Sequence, residues 1–216
     1  MDRLYRMCGV ILSAGTSTRM GRDKALLPWP PAASGSDCSN GETLLSAAIL
    51  ALKPFTEAIV VVAGRNADKI ASVVAANGAL MVRNTDPDRG QFSSLQVGLH
   101  EVLAHGCDAA MITLVDCPPL SVASMEKLSA SFDRALALGK WGVAPESNGR
   151  RGHPLLASRA LIDAFLAAPV TSNAREIKRA HAQLIESVPV PDSFVCVDVN
   201  TPEEYAALSA AGSKPH

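Results

Sequence analysis

The residues most suited to chemistry in this sequence lie in the loop 13–24, which follows a short apolar run near the start of the chain. The loop combines Gly15 and Gly21 with several hydroxyl side chains and with the cations Arg19 and Lys24. Small residues let backbone N–H groups approach a phosphate, and Arg and Lys supply the compensating charge. The loop has neither the G-x-G-x-x-G spacing of dinucleotide-binding turns nor the Gly-Lys-Ser/Thr end of a P-loop. Composition alone gives similar support to a phosphate-binding loop and to an ordinary polar turn.

Two carboxylates follow apolar runs that are predicted to be strands. Asp116 ends the run AAMITLV and precedes a Cys and two prolines, and Asp198 ends a Val-rich run before Asn200. A carboxylate at the C-terminal tip of a strand is placed to hold Mg²⁺, which in turn holds a triphosphate. The alternative for Asp116 is a turn-forming residue before the proline pair. Near Asp198, Asn200 or Thr201 is also a good helix N-cap with Pro202 at the first helical position, which leaves only Asp198 unexplained.

Two further segments carry convergent polar groups. Residues 89–94 open a predicted helix, where free N–H groups and the Ser and Gln side chains either read a base or phosphate or simply cap the helix. Residues 149–154 form a small basic turn that includes Arg151 and His153. That turn either faces an anionic acceptor or is a solvated hairpin tip.

The cysteines and histidines do not predict a metal site. The five cysteines are odd in number and include no Cys-x-x-Cys, and Cys8 and Cys196 lie in runs predicted to be buried strands, so neither a disulfide framework nor a zinc site is expected. Cys117 is a poor candidate nucleophile, because two prolines follow it and no His is near it in sequence. His100 and His105 are five residues apart, which does not place them on one helical face.

The elements that position these loops follow from the apolar pattern of the chain. The predicted strands of the first part are 8–12, 58–63, 79–82 and 109–115, and the predicted helices are 43–53, 66–76, 92–103 and 121–137. Pro54 is expected to end the first helix, and Asn66 and Ser121 are expected to be N-caps. This alternation predicts a mainly parallel sheet with helices on both faces. Ligands of such sheets lie beyond the carboxyl ends of the strands, where the loops described above begin.

The alternation loosens after Trp141. Strands are predicted at 141–144, 153–156, 184–188 and 195–199, and helices at 159–166, 173–180 and 202–208. Strands that follow one another directly predict an antiparallel element in the second half of the sheet. No internal repeat or linker interrupts the chain, so we predict a single domain over 1–216 with one long Pro/Ser/Gly-rich loop at 28–41.

The bulk composition excludes several classes of function. At 216 residues with 48% hydrophobic and 19% charged residues, the chain has the make-up of a globular enzyme. A formal net charge of −1 provides no basic field for nucleic acid or for an anionic membrane. The apolar run at the start is too short for a secretory signal, and no run is long enough to span a bilayer. We therefore expect a cytoplasmic protein that binds neither nucleic acid nor membrane.

The segments above resemble the MobA-like nucleotidyltransferases, and specifically their molybdenum cofactor cytidylyltransferase branch. The family opening, L-x-A-G-x-x-x-R-M-G-x-x-K-x-L-L-P, is matched throughout 12–28, and the resemblance extends to about Leu208. Further matches, in the same order, are Val-Val-Ala-Gly64, Gly90-Gln-x-Ser-Ser-Leu95, Asp116-x-Pro118, Arg151-Gly-His153-Pro154 and Asp198-Val-Asn-Thr-Pro202.

The resemblance implies a Rossmann-like, doubly wound α/β domain of the nucleotide-diphospho-sugar transferase type. It implies transfer of a nucleotide, with CTP favoured, from an NTP to a phosphorylated acceptor, in first place molybdopterin, with release of pyrophosphate. Mg²⁺, or Mn²⁺ in its place, would be the metal, and a molybdoenzyme or its chaperone a partner. The site residues it implies are Arg19, Lys24 and Asp116 for catalysis; Leu12, Ala14, Gly15, Arg19, Lys24, Gly90, Ser93 and Ser94 for the nucleotide; Asp116, Asp198 and Asn200 for the metal; and Arg151 and His153 for the acceptor.

Two features depart from the family pattern. The loop 28–41 is longer than expected, and residues 168–178 read APVTSNAREIK in place of Gly-Asp-x-Gly-Ala-Arg, with Arg175 keeping the Arg. Ala14, where guanylyltransferases tend to carry a second Gly, leans towards CTP. The alternatives are a guanylyl- or sugar-phosphate nucleotidyltransferase of the same fold, and a non-catalytic protein that binds and delivers a nucleotide or cofactor.

Overall fold

A computed structural model describes residues 5–15, 18–31 and 42–211 of the chain. Its strands are β1 (Met7–Ser13), β2 (Ala58–Ala63), β3 (Leu80–Arg83), β4 (Ala109–Leu114), β5 (Gly142–Ser147), β6 (Arg150–Arg151), β7 (Leu155–Ser158) and β8 (Ile185–Pro189). Its helices are α1 (Leu44–Leu52), α2 (Ala67–Ala76), α3 (Gln91–Ala104), α4 (Val122–Ala137), α5 (Arg159–Ala167), α6 (Ala174–Ala180) and α7 (Pro202–Ala211). Thr16, Ser17 and most of the predicted loop 28–41 lie outside the described residues.

These strands form one mixed sheet in the order β3-β2-β1-β4-β7-β5-β6, with β8 beside β5. The first four strands pair in parallel, β8 pairs with β5 in parallel, and β7 lies antiparallel between β4 and β5. The prediction of a mainly parallel sheet with an antiparallel element in its second half is confirmed. A short connection explains the reversal, because β5, β6 and β7 follow one another without a crossover helix.

Helices cover both faces of the sheet, as the doubly wound architecture requires. On β1, Ile11 packs into the cluster with residues of α1, α2 and α4, whereas Val10 packs into the cluster with residues of α3 and α5. Adjacent strand residues point to opposite faces, so a strand covered on both sides is buried and apolar along nearly all of its length. All seven residues of β1 are buried for this reason.

Helix starts and ends follow the predictions closely. Thr43 caps α1 with a capping box to Ser46, and Ser121 caps α4 by accepting a hydrogen bond from Ser124 N at 3.3 Å. The α1 helix ends at Leu52, and Pro54 lies in the short 3₁₀ turn that follows. None of the helices in the described part of the chain has the length and apolar character needed to cross a membrane.

The predicted strand at 195–199 is wrong. The segment is a turn whose Val197 N–H donates to Phe194 O at 3.1 Å, and it joins no strand of the sheet. Its alternating valines nevertheless serve as core residues, because Val195 and Val199 are buried. The alternating apolar pattern therefore correctly indicates buried residues here, although the segment is not a strand.

The expectation that no disulfide forms is also wrong for one pair. Cys8 in β1 and Cys107 just before β4 are joined by a disulfide, with their Cα atoms 6.0 Å apart. The two cysteines are 99 residues apart in sequence and become neighbours because β4 pairs with β1. Spacing along the chain gave no sign of this pairing.

Candidate active site

Four predicted site residues meet at the carboxyl ends of β1 and β4. The Lys24 ammonium donates to Asp116 Oδ2 at 2.8 Å and to Asn200 Oδ1 at 3.0 Å, and Arg19 donates to the same Asn200 oxygen at 3.3 Å. The Lys24 side chain is 11% exposed and the Asp116 side chain 21%. The structure thus brings together two residues predicted to bind the nucleotide, Arg19 and Lys24, and two predicted metal ligands in one hydrogen-bonded network.

Lys24 is held in this position by the turn that carries it. It begins a 3₁₀ turn that Asp23 caps by accepting a hydrogen bond from Ala25 N at 3.0 Å. The second carboxylate oxygen of Asp23 accepts from Asn66 Nδ2 at 2.8 Å, and the same amide donates to Ser13 O at 3.0 Å. Asn66 occupies the N-cap position of α2 as predicted, but its side chain makes no cap hydrogen bond and instead ties the two ends of the 13–24 loop together.

Asp198 lies beside this network. Its Oδ1 accepts a hydrogen bond from the Cys117 thiol at 3.2 Å, and the backbone N–H of Val199 donates to Asp116 O at 2.9 Å. Burial raises the pKa of the Cys117 thiol, and the charges of Asp198 and Asp116 raise that pKa further. A raised pKa favours the protonated thiol, the form that donates a hydrogen bond, over the nucleophilic thiolate.

A cavity of about 160 Å³ opens beside Lys24 and Asp116. The predicted nucleotide-binding residues that line it are Leu12, Ala14, Gly15, Lys24, Gly90 and Ser94, and the sequence analysis did not select the further lining residues Ser13, Asp23, Pro87, Gln91 and Val115. Ser93 does not line this cavity, because its hydroxyl donates to Gly90 O at 2.8 Å inside the first turn of α3. Asn84 Nδ2 donates to the hydroxyls of both Ser93 and Ser94 at 2.9 Å, so the end of β3 fixes the start of α3.

Two glycines shape this cavity. A Cβ on Gly64, at the end of β2, would lie 2.7 Å from Ala14 O, so only glycine permits the 13–24 loop to approach β2 this closely. Gly90 has φ +91°, a left-handed conformation that places the N-terminus of α3 at the cavity wall. Both positions belong to the motifs that carried the family resemblance, and the structure gives the physical reason for each.

A second cavity of about 590 Å³ adjoins the first and shares Leu12, Gly90 and Gln91 with it. Its floor is apolar, and its polar lining includes His153, Arg175 and Lys178. Of the two predicted acceptor ligands, His153 therefore lines this cavity. Arg151 does not, because its guanidinium donates to Ser187 Oγ at 2.7 Å and to Ile185 O at 2.8 Å.

The electrostatics of the second cavity favour a neutral histidine among cations. Burial lowers the pKa of His153, and the positive charge of Lys178 lowers it further. The ring Nδ1 lies 3.3 Å from Ile112 O, and a carbonyl only accepts, so Nδ1 carries the hydrogen. Burial also lowers the pKa of Lys178, with smaller contributions from Arg175 and Arg151. Sequence analysis missed Lys178, whose only signal was its position three residues after Arg175, one helical turn away.

Gly152 fixes His153 relative to the carboxylates. A Cβ on Gly152 would lie 1.6 Å from Val195 O, so the 149–154 turn lies directly against the segment that carries Asp198. His153 N–H also donates to Val195 O at 3.4 Å. The Gly-His-Pro motif therefore joins the second cavity to the predicted metal ligands through backbone contact.

The oxygen donors of this site suit a hard divalent cation. Within the described residues, no three His, Cys, Asp or Glu side chains are grouped so as to hold a metal by themselves. Asp116 and Asn200 offer a carboxylate and an amide oxygen that contact the Lys24 ammonium, and Asp198, bonded to the thiol of Cys117, offers a second carboxylate nearby. Mg²⁺ is commonly bound by one or two carboxylates together with substrate phosphates and water, so this set fits a metal that arrives with a nucleotide.

Fold and site together define a nucleotidyltransferase of the nucleotide-diphospho-sugar transferase fold. The family model described as "MobA-like NTP transferase domain" matches residues 9–186. The chain belongs to the MobA-like NTP transferase family, as the resemblance predicted.

Named relatives belong with this assignment, and two solved structures of one protein share the fold. The molybdenum cofactor cytidylyltransferase of Escherichia coli is 25% identical over 91% of this chain and 92% of its own length. The molybdenum cofactor guanylyltransferase of Rhodobacter capsulatus is 28% identical over 93% of this chain and 94% of its own length. The crystal structure of Rv0371c from Mycobacterium tuberculosis covers 95% of this chain and 98% of its own, with 20% identity and a TM-score of 0.73. A structure of that protein in complex with manganese superposes with a TM-score of 0.65 at 20% identity, covering 95% of this chain and 99% of its own.

Proposed function

We propose that this protein is a Mg²⁺-dependent nucleotidyltransferase that joins the nucleotide of an NTP, with CTP favoured, to a phosphorylated acceptor and releases pyrophosphate. Molybdopterin is the acceptor proposed first, because relatives from both named branches act on the molybdenum cofactor according to their names. The observation that carries the proposal is the network of Lys24, Asp116 and Asn200 at the wall of one cavity, with a second cavity adjoining it.

The nucleotide half of the reaction is assigned to the first cavity. Backbone groups at Gly15 and at the start of α3 border it, and Lys24 and Arg19 supply positive charge for the phosphates. Asp116, Asp198 and Asn200 would hold Mg²⁺ or Mn²⁺. The metal would neutralise charge on the triphosphate and on the departing pyrophosphate.

The acceptor half is assigned to the second cavity. A phosphate monoester is largely ionised at neutral pH, so its oxygen needs no strong general base to attack the α-phosphate. Lys178 and Arg175 would hold that acceptor in place by charge, and the apolar floor would take its ring system. Catalysis would then depend on positioning and on neutralisation of charge by Lys24 and Arg19.

The choice between CTP and GTP has support on both sides. Ala14 lines the nucleotide cavity at the position where the family's guanylyltransferases tend to carry a second Gly, which favours CTP. The 28% identity to a guanylyltransferase supports GTP as the second candidate. A molybdoenzyme or its chaperone as receiver of the product, and a cytoplasmic location, stay predictions.

A pairwise assay of pyrophosphate release tests the proposal. Each of CTP, GTP and UTP is combined with molybdopterin and then with sugar phosphates, in the presence of Mg²⁺ or of EDTA. Release with CTP and molybdopterin, lost in EDTA and lowered on the order of 10²–10³-fold by Asp116→Ala, is the expected result. Nucleotide binding without release from any pair would instead favour a non-catalytic delivery protein.

A second experiment tests the acceptor assignment separately. Lys178→Ala removes a cation of the second cavity, so KM for the acceptor should rise on the order of tenfold while KM for CTP stays unchanged. The matched control is Lys140→Ala, since Lys140 donates to Gln183 O at 2.8 Å and lines neither cavity. Equal changes in both KM values would argue against an acceptor site in this cavity.

A further inference from the structure

The segment that carries Asp198 has no strand to hold it in place. It follows a turn at 193–196 and has no regular structure, and the hydrogen bond from Val199 N to Asp116 O, 2.9 Å long, fixes its backbone beside the end of β4. That bond does not orient the carboxylate of Asp198, which is an exposed residue. Holding an exposed side chain in a single orientation costs rotamer entropy. The orientation of this carboxylate therefore needs a further contact.

The thiol of Cys117 supplies that contact. Its Sγ lies 3.2 Å from Asp198 Oδ1, and Cys117 is 6% exposed. Because Cys117 directly follows Asp116, the same short segment provides the carboxylate of Asp116 and the hydrogen-bond donor for the carboxylate of Asp198. A thiol that donates to one oxygen of Asp198 can hold that carboxylate in place without adding a positive charge that would compete with a metal.

We propose that Cys117 is a positioning residue that orients the Asp198 carboxylate so that it and Asp116 reach the same divalent cation. The inference rests on the metal-binding role proposed above for these two carboxylates. The proposal assigns a role to Cys117, the middle residue of the Asp-Cys-Pro motif. From the sequence alone, Cys117 was only a poor candidate nucleophile.

The test compares Mn²⁺ binding, measured by electron paramagnetic resonance with saturating CTP and no acceptor, among full-length variants. Cys117→Ala removes the donor and should weaken Mn²⁺ binding about 10- to 100-fold, the range found for partners that orient metal ligands. Cys117→Ser keeps a donor of similar size at the same place and should bind Mn²⁺ nearly as tightly as the wild type. CTP binding in EDTA should be unchanged in both variants, since neither Cys117 nor its hydrogen-bond partner Asp198 lines the nucleotide cavity.

Cys196→Ala is the matched control. Its thiol, also free and on the same segment as Asp198, donates to the backbone oxygen of Arg150 at 3.3 Å and not to a carboxylate, so Mn²⁺ binding should equal that of the wild type. Wild-type Mn²⁺ affinity in Cys117→Ala, or equal weakening in Cys117→Ala and Cys117→Ser, would overturn the proposal. Cys117→Ser could bind Mn²⁺ like the wild type while Cys117→Ala binds it weakly, in a protein that releases no pyrophosphate. That result would support the role of Cys117 and would contradict only the proposed function.

Discussion

Replacing Lys24 with alanine removes an ammonium group that lies 2.8 Å from Asp116 Oδ2 and 3.0 Å from Asn200 Oδ1. The pair is largely shielded from water, because the two side chains are 11% and 21% exposed. Removing one partner of a buried ion pair costs roughly 3–5 kcal/mol, and the residual exposure places this pair at about 3 kcal/mol. In a domain of this size 1 kcal/mol shifts the melting temperature by about 2–4 °C, so Lys24→Ala should melt roughly 6–12 °C lower in EDTA.

The same geometry predicts how the variant responds to a divalent cation. Lys24 Nζ contacts oxygens of two predicted metal ligands, so the ammonium stands where a metal ion would also neutralise Asp116. MnCl₂ should therefore raise the melting temperature of Lys24→Ala by more than it raises that of the wild type. Pyrophosphate release should still fall on the order of 10²–10³-fold, because the charge that Lys24 would place on the phosphates is gone.

Thermal melts in EDTA and in MnCl₂, followed by circular dichroism, measure both effects. Lys53→Ala is the control, because Lys53 is an exposed residue whose Nζ donates to Asn77 O at 3.4 Å, outside the site. Suppose that Lys24→Ala has the melting temperature of Lys53→Ala in EDTA and the manganese response of the wild type. That result would refute the reasoning, because it would show that the ammonium does not neutralise Asp116 in place of the metal ion.

Two further predictions concern the shape and the protonation of the site. Gly64→Ala places a Cβ 2.7 Å from Ala14 O, so the 13–24 loop must move, and kcat/KM for CTP should fall about 10²-fold, the scale for a misplacement near 1 Å; unchanged kinetics would contradict the close approach. Burial holds the pKa of His153 below 6.5, so the unfolded chain binds a proton that the folded chain does not, and stability should fall as the pH drops below 6.5. In melts at about pH 7.5 and about pH 5.5, His153→Gln should lose less melting temperature between the two pH values than the wild type does. Replacement of the exposed His100 should leave that loss unchanged. Equal losses for the wild type and His153→Gln would refute the assignment.

Much of the first half of the fold follows from local sequence patterns. Continuous apolar runs predicted β1, β2 and β4 to within about two residues, because strands buried on both faces are made mostly of apolar side chains. Ser121 predicted the start of α4, because a hydroxyl that accepts a hydrogen bond from the first turn acts locally. The rule that ligands lie beyond parallel strand ends then selected the loops that border the cavities.

Tertiary structure decided the features that depend on contacts between distant residues. The bond from Lys24 to Asp116 joins residues 92 apart in sequence, and the bond from Lys24 to Asn200 joins residues 176 apart. The same holds for the disulfide between Cys8 and Cys107, which the cysteine pattern argued against.

The loop 13–24 illustrates both what the sequence determines and what only the tertiary structure determines. Its residue types and spacing determined that it would carry small residues and cations to the end of β1, since composition and periodicity are properties of the chain itself. Only the folded structure showed that Lys24 turns towards Asp116 and Asn200, and that Lys178 rather than Arg151 lines the second cavity. Side-chain partners of this kind are set by packing across the sheet, which no local pattern encodes.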